Sequence, residues 1–272
     1  MRGRVSSRLL RVSGRVVVGL ILAFIVLPAV VVTIAAFNER AILSFPPTGT
    51  STRWFTRALT YRDFRTGLWN SLVVTAWAST LALAVGTGFA IALKRYAFRF
   101  KGSLEGVLLS PLIVPHFTIG LGLLMLATGL SVGQGWPVLV LTHVIVVLPF
   151  VIRSVYISLQ NIDERLELAA ASLGARPRAV LTTITLPLLA PGLVSGWLFA
   201  AILSFNEFTA SLFVTNQATQ TLPVAMYGYV REFADPTLAA VSVIYIAVTA
   251  ALLTLANTFL GLGKVLNVEQ GR

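Results

Sequence analysis

The stretch from Gly106 to Ile152 reads GVLLSPLIVPHFTIGLGLLMLATGLSVGQGWPVLVLTHVIVVLPFVI, and none of its residues carries a charge. A helix that crosses a bilayer needs about 20 predominantly apolar residues, so this stretch is long enough for two such helices. Turn-forming residues cluster near its middle: Gly129, Gly133, Gly135 and Pro137. We therefore predict two membrane-spanning helices, over residues 107–128 and 138–157.

Four more apolar runs of similar length lie outside this stretch, at residues 16–37, 72–93, 188–213 and 238–260. The whole chain is 56% hydrophobic and only 11% charged, whereas a soluble domain carries about 25% charged residues. The sequence therefore predicts an all-α, polytopic membrane helix bundle with about six transmembrane helices. We expect residues 1–272 to form one transmembrane domain.

The formal net charge of +11 is concentrated in short segments that flank the apolar runs. This distribution follows the positive-inside rule and does not provide the continuous basic face of a nucleic-acid-binding protein. Basic residues precede the first apolar run: Arg2, Arg4, Arg8, Arg11 and Arg15. Because that run is longer than the apolar core of a signal peptide, about 7–15 residues, we interpret it as an uncleaved first helix. Both termini are expected in the cytoplasm, although five arginines in the 38–69 loop depart from the rule.

Several kinds of chemistry are excluded by composition. The chain has no cysteine and two histidines, so neither a disulfide nor a metal centre is expected. No catalytic set of residues converges at one depth. The sequence also lacks the G-x-x-x-x-G-K-[ST] loop that cradles nucleotide phosphates, because Gly261 to Lys264 have the wrong spacing. We therefore expect no cofactor on this chain.

A polar segment separates the fourth and fifth apolar runs, and residues 161–187 read NIDERLELAAASLGARPRAVLTTITLP. Asn161 and Glu164 have the spacing of a capping box, which predicts the start of a short helix. Gly174 stands where a left-handed residue ends such a helix, and Pro177 suits the first position of a second one. The result is a helix–turn–helix elbow. It is either a docking element for a groove on another protein or an ordinary amphipathic hairpin at the surface.

The spacing in this elbow resembles that of the EAA loop of ATP-driven (ABC) importer permeases. The loop's pattern is E-A-A, three residues, G, nine residues, I-x-L-P, and it is matched by Ala169-Ala170, Gly174 and Ile184-Thr185-Leu186-Pro187. The resemblance implies a cytoplasmic coupling loop at about 161–187 that docks on an ATPase. Its candidate residues are Glu167, Leu168, Ala169, Ala170, Gly174, Ala175, Ile184, Leu186 and Pro187.

One position departs from the pattern. The family's glutamate corresponds to Leu168, and Glu167 is adjacent. One residue along a helix corresponds to a rotation of about 100°, so Glu167 points in another direction. Either Glu167 reaches the same partner by a different route, or the contact is apolar.

Further segments resemble permeases of the spermidine/putrescine type. They are Phe45-Pro46-Pro47, Asn70-Ser71-Leu72, His143 to Pro149, Ser204 to Phe208, Thr221-Leu222-Pro223 and Met226-Tyr227. The resemblance implies a core permease region over about 70–260, alternating access, and a polyamine or similar small organic cation as the solute. A permease for another polar solute, such as an amino-acid derivative, is the alternative. The resemblance also implies a bacterial inner-membrane location and several partners. These are ATPase subunits that bind ATP and Mg²⁺, a second permease chain and an extracytoplasmic solute-binding protein.

Glu207 is the sole carboxylate in the fifth apolar run, and a charge inside such a run is costly and usually functional. We expect it to line the solute pathway together with neighbouring polar residues: Asn206, Thr209, Ser211 and Tyr227. Otherwise it lies near the outer interface and meets water or an arginine. His116 and His143 are expected to be packed and hydrogen bonded. A secondary transporter and a membrane enzyme remain as rival functions.

Overall fold

The computed structural model describes the backbone of residues 2–260 and the side chains of residues 13–255. This part of the chain is almost entirely helical. Its helices are α1 Arg2–Ala35, α2 Arg53–Thr60, α3 Arg62–Arg95, α4 Lys101–Leu109, α5 His116–Gly129, α6 Trp136–Gln160, α7 Glu164–Ser172, α8 Pro177–Val180, α9 Leu186–Phe205, α10 Ser211–Val214, α11 Leu222–Glu232 and α12 Thr237–Leu260. A 3₁₀ turn, Ser110–Leu112, follows α4, and a π-turn, Leu181–Thr185, joins α8 to α9. Gly261 to Lys264 lie outside the described residues.

Five helical segments are long and apolar enough to cross a membrane: Ser13–Ala35, Arg62–Arg95, Trp136–Gln160, Pro177–Phe205 and Thr237–Leu255. A sixth results if the bent pair Lys101–Leu112 and His116–Gly129 counts as one span. The predicted all-α membrane bundle with about six spans is confirmed. The first segment contributes no buried residue to its apolar window, as expected of a helix surrounded by lipid.

Two of the predicted spans are interrupted. The helix predicted over 107–128 breaks between Leu112 and His116 and bends there by 105°. Pro111 and Pro115 cause the break, because each lacks an amide hydrogen and clashes with the preceding turn. The span predicted over 188–213 ends at Phe205, and residues 206–210 are not helical.

The elbow differs from its predicted form at one end. The prediction that Asn161 caps the first arm was wrong, because Asn161 ends α6 and Asp163 caps α7 by accepting from the Arg165 amide at 2.9 Å. Gly174 has φ of +85° and Pro177 opens α8, both as predicted. The second arm continues past Pro187, through the π-turn and into α9, as one span, Pro177–Phe205.

The described residues group into two compact units. The first comprises those up to Tyr61 together with Gly228–Ile246, and the second comprises Arg62–Tyr227 and those from Ala247 onward. One transmembrane domain over the whole chain stays a prediction.

The second unit is built around α3, α6 and α9. Its core includes Ala82 and Ala90 of α3, Val147 and Val151 of α6, and Leu189 of α9. Glycines permit the close approach of these helices. A Cβ added at Gly86 would lie 2.9 Å from Val151, and one added at Gly192 would collide with Ser158.

In the first unit, the Arg57 guanidinium lies 3.2 Å from the Asp235 carboxylate. The Tyr229 hydroxyl and the Thr237 amide also donate to Asp235, at 3.0 and 2.9 Å. Burial alone would raise the pKa of Asp235, but the hydrogen bonds from Thr237 and Tyr229 and the charge of Arg57 hold that pKa below its usual value.

Candidate functional site

The elbow formed by α7 and the turn after it presents an apolar outer surface. Leu168 is 65% exposed and Leu173 is 90% exposed, and Leu166 is also open to its surroundings. Leu166 and Leu168 lie on α7 and Leu173 directly follows it, and Ala169 and Ala171 are exposed as well. Exposed apolar side chains concentrated in so short a segment make it a candidate binding surface.

The opposite side of α7 is tied to the end of α3 by charge. The Arg95 guanidinium forms an ion pair with the Glu167 carboxylate and donates to the Thr185 hydroxyl at 3.0 Å. That hydroxyl in turn donates to Glu167 at 2.6 Å. A second ion pair joins Lys94 to Glu164 at 3.0 Å. Glu167 therefore faces the helices of its own chain.

A cleft of about 510 Å³ lies between the end of α3 and the elbow. Its polar wall carries the two ion pairs, and Leu159, Ile162 and Val180 contribute to its apolar wall. The two cations and two anions offset each other, so the cleft has no net charge to attract an ion.

The other residues predicted for the coupling loop are divided between surface and interior. Ala169, Gly174 and Pro187 are exposed, and no atom lies within 4 Å of a Cβ added at Gly174. Ala170, Ala175, Ile184 and Leu186 are half-buried. Position 174 favours glycine because its backbone is left-handed, whereas its surroundings leave room for a larger side chain.

A buried polar cluster forms where the two interrupted spans meet. Glu207 is 5% exposed, and its Oε2 lies 2.6 Å from Nδ1 of His116. Its Oε1 accepts from the amide of Ala210 at 2.7 Å. His116 is 40% exposed and opens α5 directly after the break. Both carboxylate oxygens of Glu207 are thus occupied from within the chain.

His143 extends this cluster into α6. Its Nδ1 lies 2.8 Å from the hydroxyl of Ser204, and its Nε2 lies 2.8 Å from the hydroxyl of Ser211. The Ser211 hydroxyl donates to the backbone carbonyl of Glu207 at 3.1 Å, so its oxygen accepts from Nε2–H of His143. In a neutral imidazole Nδ1 then accepts from Ser204, which fixes one tautomer of this fully buried ring.

The backbone of the interrupted spans is in close contact at this point. A Cβ added at Gly120 of α5 would lie 2.6 Å from the carbonyl oxygen of Ala210. His143 lies seven residues after the first residue of α6, about 10 Å along the helix axis. The cluster therefore lies well inside the length of α6 and not at its end. Irregular backbone at such a depth is tolerated where it is buried in protein or lines a water-filled path.

The structure brings the predicted pathway residues close together but exposes them unequally. Asn206 and Thr209 are exposed, and Ser211 is buried against His143. The ring of Tyr227, which is partly exposed, lies 5.3 Å from that of Phe208, the residue after Glu207.

Sequence reasoning missed the partners of both carboxylates. Arg95 marks the end of a membrane span, and His116 is an isolated histidine after a proline. Pro115 was the available signal for His116, because a proline removes a helical hydrogen bond and can break the span beside it. No local pattern connects Arg95 to Glu167, since 72 residues separate them.

Comparison with known proteins places these features among transport proteins. Residues 84–262 match the family model described as binding-protein-dependent transport system inner membrane component. The spermidine/putrescine transport system permease protein PotC of Haemophilus influenzae is 31% identical over 236 residues, which cover 86% of this chain and 91% of PotC. The molybdenum transport system permease protein ModB of the same organism is 38% identical over 178 residues, covering 59% of this chain and 76% of ModB. These relatives are named as permeases, not as enzymes.

Solved structures share the fold. A chain from a bacterial ABC transporter involved in the import of the acidic polysaccharide alginate superimposes with a TM-score of 0.71. The match covers 93% of this chain and 97% of that one at 17% sequence identity.

Proposed function

This chain belongs to the family of binding-protein-dependent transport system inner membrane components and is a permease subunit of an ABC importer; from that premise, we propose that α7 docks on a separate ATPase subunit. ATP and Mg²⁺ would bind to that partner. ATP-driven closure of the ATPase subunits would move the elbow and, through it, the membrane helices. The permease would then open alternately to the two sides of the membrane.

The exposed leucines of the elbow carry this proposal. Leu168 occupies the position of the family's glutamate and is 65% exposed, whereas Glu167 is turned toward Arg95. Of the two alternatives for this contact, the geometry favours the apolar one. Docking would bury Leu166, Leu168 and Leu173 in a groove of the ATPase, and the small side chains of Ala169 and Ala170 would let the two backbones come close.

The orientation and the remaining partners follow from the same role. An elbow that docks on an ATPase would face the cytoplasm, and with six spans both termini would lie there as well. The chain would supply half of the pathway, with a second, different permease chain supplying the other half. A solute-binding protein would deliver the solute from outside.

The solute we propose is a polyamine or a similar small organic cation, as the name of PotC states for that relative. Glu207 is the group that a solute ammonium would contact. In the present conformation His116 holds one of its oxygens at 2.6 Å, so the solute would reach Glu207 only after His116 moves away. The 105° break directly before His116 lies where such a movement could occur.

Molybdate is a second candidate, because ModB is 38% identical over the part of the chain that it matches. For an oxyanion the roles at the cluster would be reversed. His116 and backbone amides would contact the solute, and Glu207 would orient the imidazole.

Reconstitution tests both the docking on an ATPase and the identity of the solute. The chain is co-expressed with the ATPase, second permease and binding protein of its own transport system, purified, and placed in proteoliposomes with ATP inside. We expect the ATPase to co-purify and labelled spermidine to accumulate only when ATP is present. Accumulation of molybdate and not of spermidine would show that molybdate is the solute. An ATPase that does not co-purify would refute the docking role.

A further inference from the structure

We infer that Arg95, Glu167 and Thr185 form a clamp that transmits the movement of α7 to the end of α3, an inference that rests on the docking role proposed above. The three side chains come from three separate segments: the last residue of α3, the middle of α7 and the last residue of the π-turn. The clamp therefore connects α7, which we propose docks on the ATPase, to α3 and α9, whose side chains pack together in the helix bundle.

The contacts within the clamp form a closed triangle. Arg95 donates to both Glu167 and Thr185, and Thr185 donates to Glu167 at 2.6 Å. Charge-assisted hydrogen bonds of this kind are about twice as strong as neutral ones. Oε1 of Glu167 accepts from both Arg95 and Thr185, so the carboxylate ties α7 to the end of α3 and to the π-turn.

Burial distinguishes the clamp from an ordinary surface ion pair. Thr185 is fully buried, and the side chains of Arg95 and Glu167 are 29% and 21% exposed. The neighbouring pair, Lys94 and Glu164, joins the same two helices, but Glu164 is 73% exposed. Exposed pairs contribute little because water and salt screen them. The clamp is therefore the stronger of the two connections.

The π-turn gives the clamp a third attachment. Thr185 is the last residue of Leu181–Thr185, where the helical ladder changes from α to π and back. Such insertions are rare and occur frequently at functional sites. Because Arg95 and Glu167 both contact Thr185, a shift of α7 would act on the base of α9 and on the end of α3 together.

The direction of Glu167 also separates two tasks within one short helix. Leu168 is next in sequence and about 100° further round the helix, and it is exposed. Leu168 borders the same cleft as Glu167 but is 65% exposed, so it stays open to a partner while Glu167 is held by Arg95. A loss of Glu167 should then leave docking intact and impair transmission alone.

The test measures docking and transmission separately in the reconstituted importer. We expect Glu167→Gln and Arg95→Gln to retain the ATPase on co-purification but to raise the ATP hydrolysed per solute transported roughly fivefold or more. Thr185→Val should act in the same direction. The charge exchange Arg95→Glu with Glu167→Arg rebuilds the ion pair with its polarity reversed and should restore part of the ratio.

Two further variants provide the comparison. Glu164→Gln removes the exposed pair and should change the ratio by less than about twofold. Glu105→Gln, an exposed carboxylate on α4, makes the same change of charge away from the elbow and should leave the ratio unchanged.

Two results would overturn the clamp. If Glu167→Gln abolished co-purification of the ATPase, Glu167 would contact the partner and not α3. If Glu167→Gln and its charge exchange both transported with the wild-type ratio, α3 would not receive the movement. Failure of the wild-type chain to retain the ATPase would instead refute the docking role itself, so the two proposals fail in different ways.

Discussion

His116 and Glu207 form a pair of 2.6 Å across the meeting point of two interrupted spans. They are separated by 91 residues in sequence, and each lies directly beside a break: His116 follows Pro115, and Glu207 follows the end of α9 at Phe205. The pair places a buried carboxylate under a partly exposed imidazole. His116 therefore covers one oxygen of the Glu207 carboxylate.

The first prediction concerns the charge of Glu207. If the solute is a cation, Glu207→Gln should lower kcat/KM for spermidine uptake by about 10- to 100-fold, because a hydrogen bond to a charged group contributes about 1.5–3 kcal/mol. ATP hydrolysis should continue. Glu105→Gln is the control, since this exposed carboxylate of α4 lies outside the cluster. An unchanged spermidine rate in Glu207→Gln would remove Glu207 from the pathway.

His116→Ala distinguishes the two proposed solutes. For a cationic solute, removing the imidazole uncovers Glu207, so we expect the KM for spermidine to fall or stay constant. For molybdate, the same change removes the group that contacts the anion and leaves an uncovered carboxylate to repel it, so uptake should be lost. The measurement is ATP-dependent uptake of both labelled solutes by the same proteoliposomes.

A third prediction tests the close contact that supports this pair. Gly120→Ala places a methyl group against the backbone of Ala210, which cannot rotate away, and should destabilise the protein by about 1–3 kcal/mol. Gly122 lies two residues along on the same helix with no atom within 4 Å of an added Cβ. Gly122→Ala should therefore be neutral or stabilising by about 0.5–1 kcal/mol. Thermal unfolding of the purified variants in detergent checks both; equal melting temperatures would contradict the contact.

The number of spans was predictable because lipid imposes a simple rule. A bilayer excludes charge and requires a minimum helix length, and both are visible in the sequence. The break before His116 was not predicted, because membrane helices often accommodate proline without breaking. Pro149 and Pro191 lie inside continuous helices of the same chain, whereas Pro111 and Pro115 do not.

The elbow was predictable in its spacing and not in its contacts. Gly174 and Pro177 act through their own backbones, so sequence alone places them. Asn161 and Asp163 are both suitable caps. Because Asn161 ends α6, Asp163 is the residue that caps α7. Glu167 could not be assigned a partner, because its direction depends on Arg95 and Thr185 in distant segments.

A fourth prediction uses the left-handed backbone of Gly174. An L-residue in this conformation costs about 1–2 kcal/mol, and Asn tolerates it best. We expect Gly174→Val to uncouple ATP hydrolysis from transport without preventing membrane insertion, and Gly174→Asn to retain most transport. Gly102→Val is the control, because position 102 is equally open but has no positive φ. Normal transport in Gly174→Val would show that the bend of the elbow is not needed for coupling.

The last prediction concerns the Arg57–Asp235 pair in the first unit. The pKa of Asp235 is lowered in the folded protein, so its carboxylate binds a proton less readily than in the unfolded chain. Its contribution to stability is fully present above the unfolded pKa, about 3.9, and is lost as pH falls through the lowered folded value. Asp235→Asn should therefore lower the melting temperature at pH 7, and the difference from wild type should shrink below about pH 4. Glu232→Gln, an exposed neighbour, should leave the melting temperature unchanged at both pH values. A constant difference between Asp235→Asn and wild type across this range would mean that the charge of Asp235 does not stabilise the fold.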